Sequence, residues 1–211
     1  MKKNKNITRG RPKNSGVVSR PLTKEEIKRL LSVTLHSGQR TATAQRNHAL
    51  LMFGFYTAAR IGELCSLQVK DVWENDEVAS SVLFQKTKNK KSRRVPLNDK
   101  LRSLLSFFIN DYHVRDGVLM LDRPLFRSQK GSFIHPTAGS RLVKSLLTNA
   151  GLPNAGASHV MRKSGLTMLH NSGASLRCIQ QISGHSSIQQ LDAYLSATTN
   201  QVDNAIQSLA F

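Results

Sequence analysis

Acidic residues are scarce in this 211-residue chain: 13 Asp and Glu stand against 31 Lys and Arg, which gives a net charge of +18. A surplus of that size favours a polyanionic partner, because lysine and arginine release counterions when they neutralise phosphates. A ribosome-type protein or a merely soluble basic surface fits the same charge. The hydrophobic content of 39% is typical of a folded protein, and the length suffices for one good core. The composition predicts one globular domain that binds nucleic acid.

Cysteines and long apolar runs are also lacking. The two cysteines, Cys65 and Cys178, each lie in an apolar helical pattern without metal-ligand spacing, which is typical of a reducing compartment. No apolar run approaches the roughly 20 residues of a membrane span, and no apolar segment of a secretory signal follows the basic N-terminus. We therefore expect a cytoplasmic protein with no membrane partner, associated with the nucleoid when bound to DNA.

The hydrophobic pattern predicts a mainly α-helical domain with a small β-hairpin, an α+β fold. Thr23 and Glu26 form a capping-box pattern at the start of the first helix. Polar residues at 36–46 predict a loop, and near-continuous hydrophobicity at about 47–58 predicts the central core helix. Further helices are predicted at about 60–67, 99–112, 136–150, 159–171, 175–182, 187–195 and 199–209. Alternating apolar residues within 78–97 flank a basic run, which predicts a hairpin with a cationic tip.

Residues 1–20 are basic and contain no acid, so alone they should not fold. The stretch from Arg9 through Arg11 to Lys13 resembles the core of an AT-hook, which enters the narrow minor groove of A·T-rich DNA. A narrow groove concentrates negative potential and attracts arginine. Arg9 and Arg11 are therefore candidate minor-groove contacts, and a solvated basic tail with non-specific affinity is the alternative.

Histidines and arginines accompany a single tyrosine in the last quarter of the chain. His159 and Arg162 are three residues apart, so a helix would place them on one face, within reach of the same phosphate. His185 follows a glycine, and Tyr194 comes nine residues later. Together with Arg60 upstream, these residues set several cations around one phenol. The pattern indicates DNA strand cleavage with a tyrosine nucleophile.

The residue types suit that chemistry. Attack on a phosphodiester adds negative charge to the phosphoryl oxygens, so fixed cations such as Arg60 and Arg162 are the main catalytic device. Arginine presents a planar fork of donors and stays charged. Surface salt bridging is the alternative, although Arg60 directly follows an apolar core helix. The phenol of Tyr194, with an ordinary pKa of about 10, needs a proton acceptor and nearby cations. Tyr56 is expected to be buried, and Tyr112 lies in no motif.

Four stretches resemble, in order, the conserved boxes of the tyrosine recombinases, the phage-integrase family. Residues 57–67 are similar to the first box, and His159 to Arg162 match the His-x-x-Arg motif. Residues 182–188 resemble the Leu-Gly-His box, and Tyr194 has the spacing of the nucleophile. The match runs from about residue 22 to 196. It implies the catalytic-domain fold of that family, with catalytic residues Arg60, Lys86, His159, Arg162, His185 and Tyr194.

By the resemblance, His159 and His185 hydrogen-bond the scissile phosphate, and His159 also manages the tyrosine proton. The general acid for the leaving 5′-hydroxyl is a hairpin lysine in this family. Lys86 matches one family pattern, whereas Lys88 has the better spacing to the Val-Pro pair at 95–96; Lys86 is preferred narrowly. The other tip residues are predicted phosphate contacts: Lys90, Lys91, Arg93 and Arg94. Glu63 should support the site by pairing with a cationic ligand, and a surface acid is the alternative.

No metal or other cofactor is expected, because the sequence has neither a paired-carboxylate cluster nor zinc-ligand spacing. The resemblance implies a site-specific recombinase that forms a covalent 3′-phosphotyrosine, which a 5′-hydroxyl of the partner strand then attacks. Integration, excision and inversion all fit. A type IB topoisomerase uses similar chemistry, and a DNA-binding regulator could keep the fold without the activity.

The chain departs from the usual family pattern because only a basic segment of some twenty residues precedes the catalytic part. It is similar in this to the small invertases of fimbrial phase switches. The predicted division is a basic tail at 1–20, a catalytic domain at 21–198 and a helical tail at 199–211. In the family that last tail packs into a neighbouring protomer; docking onto its own core fits the same apolar stripe. Expected partners are double-stranded DNA, a homotetramer on DNA (a monomer when free fits too), and an accessory DNA-bending or helper protein.

Overall fold

The computed structural model describes residues 19–36, 41–85, 92–115 and 118–194, together with residue 207. The helices are α1 (Lys24–Leu35), α2 (Thr41–Thr57), α3 (Ile61–Ser66), α4 (Asp99–Tyr112), α5 (Pro136–Asn149), α6 (His159–Asn171) and α7 (Leu176–Ser183). The strands are β1 (Trp73–Glu74), β2 (Glu77–Val78), β3 (Ser81–Phe84), β4 (Arg93–Pro96), β5 (Val114–Arg115) and β6 (Val118–Leu119). Short 3-10 segments lie at Val69–Asp71, Pro153–Ala155 and Ile188–Tyr194. The predicted mainly helical α+β class is confirmed.

Helix α1 begins at the predicted capping box. The Glu26 amide donates to Thr23 Oγ1 at 3.2 Å, and the Thr23 amide donates back to Glu26 Oε2 at 3.0 Å, so two otherwise unpaired N–H groups are satisfied. Arg20 forms a two-pronged ion pair with the same carboxylate. Leu30 on the inner face is fully buried. The start of the folded part is therefore fixed by short-range contacts.

Helix α2 is the centre of the core and packs against α1, α4 and α6. It begins at Thr41, so the predicted loop at 36–46 is wrong from Thr41 onwards. The polar side chains there serve buried contacts: Arg46 donates to Asn47 Oδ1 at 2.7 Å and to the Arg127 carbonyl at 2.7 Å. The expectation of a buried Tyr56 is also wrong, because this position faces outward and is 36% exposed.

Glycines let α2 and α6 approach closely. A Cβ at Gly165 of α6 would lie 2.3 Å from the backbone oxygen of Phe55, and one at Gly54 of α2 would lie 2.7 Å from Met161 Sδ. Neither space admits a methyl group. The close crossing matters for the site because α2 ends just before Arg60, whereas α6 carries His159 and Arg162 near its start.

The predicted hairpin is confirmed as β3 paired antiparallel with β4, with Val82 opposite Val95 and Phe84 opposite Arg93. Its apolar residues face the core. Two smaller hairpins, β1–β2 and β5–β6, were not expected because their strands are only two residues long. The sequence carried a signal for the first of these, the adjacent Asn75 and Asp76, because Asn and Asp tolerate the positive φ that a tight hairpin turn requires. Both residues adopt a positive φ in the structure.

The C-terminal helices α6 and α7 match the predicted spans. The predicted helix at 187–195 is instead a 3-10 segment, Ile188–Tyr194. Leu191 anchors it in a small cluster with Ala58, Leu166 and Ile179. Among the side chains described at 188–191, Leu191 alone is buried, so this part of the segment shows no apolar face of the kind that favours an α-helix. The predicted helix at 199–209 lies outside the described residues, and no helix in the described ranges is long and apolar enough to cross a bilayer.

Candidate active site

A basic cleft of about 1110 Å³ opens between the first residues of α3 and α6, strand β4 and the end of α7. Its arginine and histidine side chains are Arg60, Arg93, Arg94, His159, Arg162, Arg177 and His185. Glu63 is the one acid among the described lining residues. The fold therefore gathers Arg60, the His159–Arg162 pair and His185, which come from three separate parts of the sequence, around one concave surface.

Arg60 lies at the N-cap of α3, directly after a tight turn. Ala58 in that turn has a φ of +48°, a left-handed conformation that costs a non-glycine residue roughly 1 kcal/mol or more. Ala58 is fully buried, and packing holds the turn in place. The turn aims the Arg60 side chain, 39% exposed, into the cleft.

Glu63 is buried and has a dense set of donors. Its Oε2 accepts the Arg60 amide at 2.6 Å, and its Oε1 lies 3.2 Å from the Arg60 guanidinium. Arg93 from β4 binds both oxygens, at 2.7 and 2.8 Å. Burial alone would raise the pKa of this carboxyl, but the Arg93 and Arg60 donors outweigh it and lower the pKa below its ordinary value. The Glu63 carboxylate is therefore ionised at neutral pH.

Arg162 is almost fully buried at the floor of the cleft, with 2% of its surface exposed. Its guanidinium donates to the carbonyl of Ala58 at 2.7 Å and to that of Ser183 at 2.6 Å. It thereby ties the turn before α3 to the end of α7. A buried cation costs free energy unless fixed acceptors surround it, and these carbonyls supply them.

His185 follows α7 and lies beside Arg162. Its Nε2 is 3.2 Å from an Arg162 nitrogen, and its Nδ1 is 2.8 Å from Ser183 Oγ. Because a guanidinium only donates, Nε2 accepts and Nδ1 carries the proton that Ser183 Oγ accepts. Burial, then the charges of Arg162, Arg60 and Arg93, lower the pKa of His185 to about 4. The ring is therefore neutral at pH 7.

His159 opens α6 and is exposed to the cleft, one helical turn before Arg162. Arg94 is exposed on β4 and donates to Ser81 Oγ at 3.0 Å. Arg93 is mostly buried, at 12% exposure, and binds Glu63 where a solvent-facing phosphate contact was expected. The structure thus separates two neighbouring arginines that sequence reasoning had grouped together.

Several predicted residues lie outside the described part of the chain: Arg9, Arg11, Lys86, Lys88, Lys90 and Lys91. The backbone of Tyr194 ends the 3-10 segment Ile188–Tyr194, which packs against α6 and α7; its side chain is not described. Sequence reasoning missed Ser183, whose carbonyl and hydroxyl serve Arg162 and His185. It also missed Arg177, which lines the cleft from α7. Neither residue carries a distinctive local signal.

The sequence profile of the phage integrase family matches residues 20–201, most of the chain. The chain belongs to the phage integrase family. The resemblance drawn from the conserved boxes is thereby confirmed. Among the described residues, no group of three or more His, Cys, Asp or Glu side chains is arranged to hold a metal ion.

Curated relatives carry the names of tyrosine recombinases. XerD of Oceanobacillus iheyensis is 28% identical over 200 residues, covering 93% of this chain and 64% of the relative. A tyrosine recombinase of Pseudothermotoga lettingae is 29% identical over 191 residues, covering 89% of this chain and 60% of the relative. The chain thus spans less than two thirds of the length of these relatives.

Solved structures share the fold. The XerA recombinase superposes with a TM-score of 0.71 at 24% identity, over 96% of this chain and 68% of XerA; this likeness concerns the fold alone. The Tn1549 transposon integrase, in complex with transposon right-end DNA, gives a TM-score of 0.65 at 26% identity, over 90% of this chain and 66% of the integrase. The predicted catalytic-domain fold is confirmed.

Acidification from pH 6.5 to 4 should destabilise this fold. Burial lowers the pKa of His113 to about 4, and that of His185 is also about 4. An unfolded histidine titrates near 6.5, so the unfolded chain binds more protons within that window. The contribution of these neutral histidines to the free energy of unfolding is fully present above the pKa of an unfolded histidine. It is lost as the pH falls through their pKa in the folded state. For His113 alone, a difference of about 2.5 pKa units corresponds to a loss of roughly 3 kcal/mol, measurable as a lower urea midpoint.

Histidine substitutions test this assignment. His113→Gln should flatten the dependence of the urea midpoint on pH between 6.5 and 4, and the exposed His36→Gln should leave it unchanged. Glu26 affects stability at a lower pH than the histidines, because the Arg20 hydrogen bond holds the pKa of its carboxyl at about 2. Its contribution to the free energy of unfolding is lost as the pH falls below about 4.5. An unaltered slope in the His113 variant would refute the assignment.

Proposed function

We propose that this protein is a site-specific DNA recombinase that cleaves and rejoins strands through a covalent 3′-phosphotyrosine. The observation that carries this proposal is the cleft in which Arg60, Arg162, His159 and His185 converge. Two fixed guanidinium groups at one concave site suit a phosphoryl group that gains negative charge during attack. Membership of the phage integrase family and the names of the relatives support the same reaction.

In the proposed cleavage step, Tyr194 Oη attacks the phosphorus, and the bond to the 5′-oxygen breaks. The phenol proton passes to a base, for which the family resemblance assigns His159. The leaving oxygen takes a proton from the hairpin lysine, Lys86 or Lys88, and departs as a hydroxyl. Arg60 and Arg162 neutralise the charge on the non-bridging oxygens. Religation reverses the step with a 5′-hydroxyl from the partner strand.

His185 has a particular role in this scheme. In the free protein, its Nε2 faces Arg162, and burial together with the nearby arginine charges keeps the ring neutral. A bound phosphate opposes those charges, so its arrival favours a proton on Nε2, from which a phosphoryl oxygen can accept a hydrogen bond. His185 therefore joins the arginines as a phosphate ligand once DNA is bound.

Double-stranded DNA is the proposed partner. The net charge of +18 and the basic cleft supply the electrostatic attraction, and the Tn1549 integrase relative was solved in complex with DNA. Assembly of four copies on DNA, aided by an accessory DNA-bending or helper protein, belongs to the same proposal. In that assembly the apolar stripe of residues 199–211 docks into a neighbouring copy.

The proposed division into a basic tail at 1–20 and a catalytic domain at 21–198 has support to within two residues, because Ser19 and Arg20 already contact the domain. The Ser19 carbonyl accepts a hydrogen bond from Lys163 Nζ at 2.8 Å, and the Leu22 amide donates to Ser164 Oγ at 2.9 Å. Both partners belong to α6, so the preceding residues start beside the helix that carries Arg162. Eight Cα–Cα steps separate Arg11 from Ser19 and can span up to about 28 Å, enough to reach a minor groove next to the cleft.

A strand-label experiment tests the proposed function. The protein is incubated in EDTA with a duplex made from the gene's own flanking DNA, and protein-linked DNA is resolved on a denaturing gel. A 3′-phosphotyrosine retains the 5′-labelled fragment on the protein and releases the 3′-labelled one. Retention of the 3′ label instead would contradict the proposed linkage.

Three further outcomes separate the alternatives. Firm binding without an adduct, even after host extract is added, would favour a DNA-binding regulator; an adduct that forms only with extract would indicate the helper-dependent recombinase. An adduct together with relaxation of a supercoiled plasmid, but without recombinant products, would favour a type IB topoisomerase.

A further inference from the structure

We propose that Arg93 is a positioning residue: by neutralising Glu63, it keeps the Arg60 guanidinium directed at the phosphate. This inference rests on the proposed function and deepens it, since it assigns a role in the same site to a residue outside the conserved boxes. Arg93 stands on strand β4, which leads from the predicted lysine-bearing tip back to the core.

The pairing geometry shows which arginine neutralises the Glu63 carboxylate. Arg93 binds both carboxylate oxygens, at 2.7 and 2.8 Å, in a two-pronged arrangement. The Arg60 guanidinium makes one longer contact of 3.2 Å to a single oxygen. Arg93 is 12% exposed, whereas Arg60 is 39% exposed. The buried carboxylate is therefore matched mainly by Arg93, and Arg60 retains donors that face the cleft.

Removing Arg93 would change that balance. A buried carboxylate that loses its partner is left with an uncompensated desolvation cost, so it draws in the nearest other cation. That cation is Arg60, which already touches Glu63 Oε1. Arg60 would then close into a full ion pair with Glu63 and turn away from the phosphate. The effect would fall on catalysis, because the arginine charge is needed where negative charge develops.

Arg93 also links β4 to the end of α7. Its Nε donates to the Ile182 carbonyl at 2.8 Å, and its guanidinium lies over the Phe84 ring at 4.5 Å. A Cβ at Gly184 would lie 2.9 Å from the Arg93 side chain, and Gly184 has a φ of +68°. The glycine before His185 is thus required by its backbone conformation and by the passage of Arg93. One side chain holds the hairpin, α3 and the His185 turn in a fixed arrangement.

Three of the five N–H donors of Arg93 go to the Glu63 oxygens and the Ile182 carbonyl. A residue that serves mainly as a phosphate ligand would direct its fork at the DNA. The two models differ in one respect: if Arg93 acts through Glu63, removing the carboxylate should repair much of the damage caused by losing Arg93. If Arg93 acts on DNA directly, removing Glu63 should repair none of it.

The test compares Arg93→Met, Glu63→Gln and the double variant with the wild type in the labelled-duplex assay. Single-turnover cleavage is measured at saturating DNA and well below each unfolding midpoint, so that differences in stability do not enter. Methionine keeps an apolar stem over Phe84 without the charge. Arg93→Met should slow cleavage about 10²-fold, with little change in DNA affinity, and the double variant should recover about tenfold. Arg29→Met, which removes one positive charge from the exposed face of α1, is the matched control for the loss of charge.

The pH profile adds a readout that a purely structural role would not move. The charged groups around Glu63 are Arg60 at the start of α3, Arg93 on β4 and Arg162 in the same cleft, which also holds the titratable but neutral His185. Without Arg93 the pKa of the buried carboxyl rises, so lowering the pH neutralises Glu63 and releases Arg60. The deficit of Arg93→Met relative to the wild type should therefore shrink as the pH is lowered, and adding Glu63→Gln to Arg93→Met should abolish that trend.

The outcomes separate the two proposals. A wild type that forms no adduct under any condition overturns the proposed function itself. A wild type that cleaves, with a double variant no faster than Arg93→Met and no acid recovery, overturns the role of Arg93 while leaving the recombinase proposal intact. Recovery in the double variant together with recovery in acid supports the role.

Discussion

Tyr194→Phe should abolish the covalent protein–DNA adduct, lowering its rate of formation by about 10⁴-fold or more, because the lost oxygen is the nucleophile itself. Phenylalanine keeps the ring and removes only the hydroxyl, so the change should leave folding intact. DNA affinity should also be unchanged, since the basic residues of the cleft are untouched. The measurement is single-turnover adduct formation on a denaturing gel, alongside a binding titration at fixed salt.

The matched control is Tyr56→Phe, which removes the same atom from an exposed position on α2. It should cleave like the wild type. An adduct that persists at near wild-type rate in Tyr194→Phe would show that another side chain attacks the phosphate, and the assignment of the nucleophile would be wrong. Loss of binding with loss of the adduct would point instead to a structural role for the hydroxyl.

Elements with strong local signals could be predicted from the sequence. The capping box at Thr23, the apolar periodicity of α4 and α6, and the alternating residues of β3 and β4 each reflect physics that acts over a few residues. The site could be anticipated for a different reason. Its residues lie in short boxes whose spacing resembles a known family, and His159 and Arg162 share a helix face by periodicity alone.

Features set by tertiary contacts could not be predicted. The start of α2 was missed because the polar residues up to Arg46 read as a loop, yet Arg46 pairs with Asn47 in the interior. The left-handed turn at Ala58 depends on packing and on the Arg162 hydrogen bond to its carbonyl. Alternation along β4 places Arg93 on the same face as Val95 and Arg94 on the opposite face, but the buried partner of Arg93, Glu63, lies thirty residues earlier and could not be inferred from the basic run.

Arg162→Lys should slow cleavage about 10³-fold, although it conserves charge. The guanidinium of Arg162 holds the carbonyls of Ala58 and Ser183 at 2.7 and 2.6 Å and also faces His185 Nε2. A lysine ammonium is a compact point charge without a planar fork, so it cannot keep all three contacts and still present donors to a phosphate. The buried carbonyls left unpaired should also lower the free energy of unfolding by roughly 2 kcal/mol, which a lower urea midpoint would show.

The conserved charge makes this substitution informative. Long-range attraction for DNA depends on the number of cations, so the affinity of Arg162→Lys and its salt dependence should match the wild type. Arg141→Lys, on the exposed face of α5, makes the same chemical change away from the cleft and should leave cleavage unchanged. Cleavage within about threefold of the wild type in Arg162→Lys would mean that charge alone suffices at this position. The fixed fork between the α3 turn and the end of α7 would then serve the fold and not the reaction, and stabilisation of the phosphate would rest on Arg60.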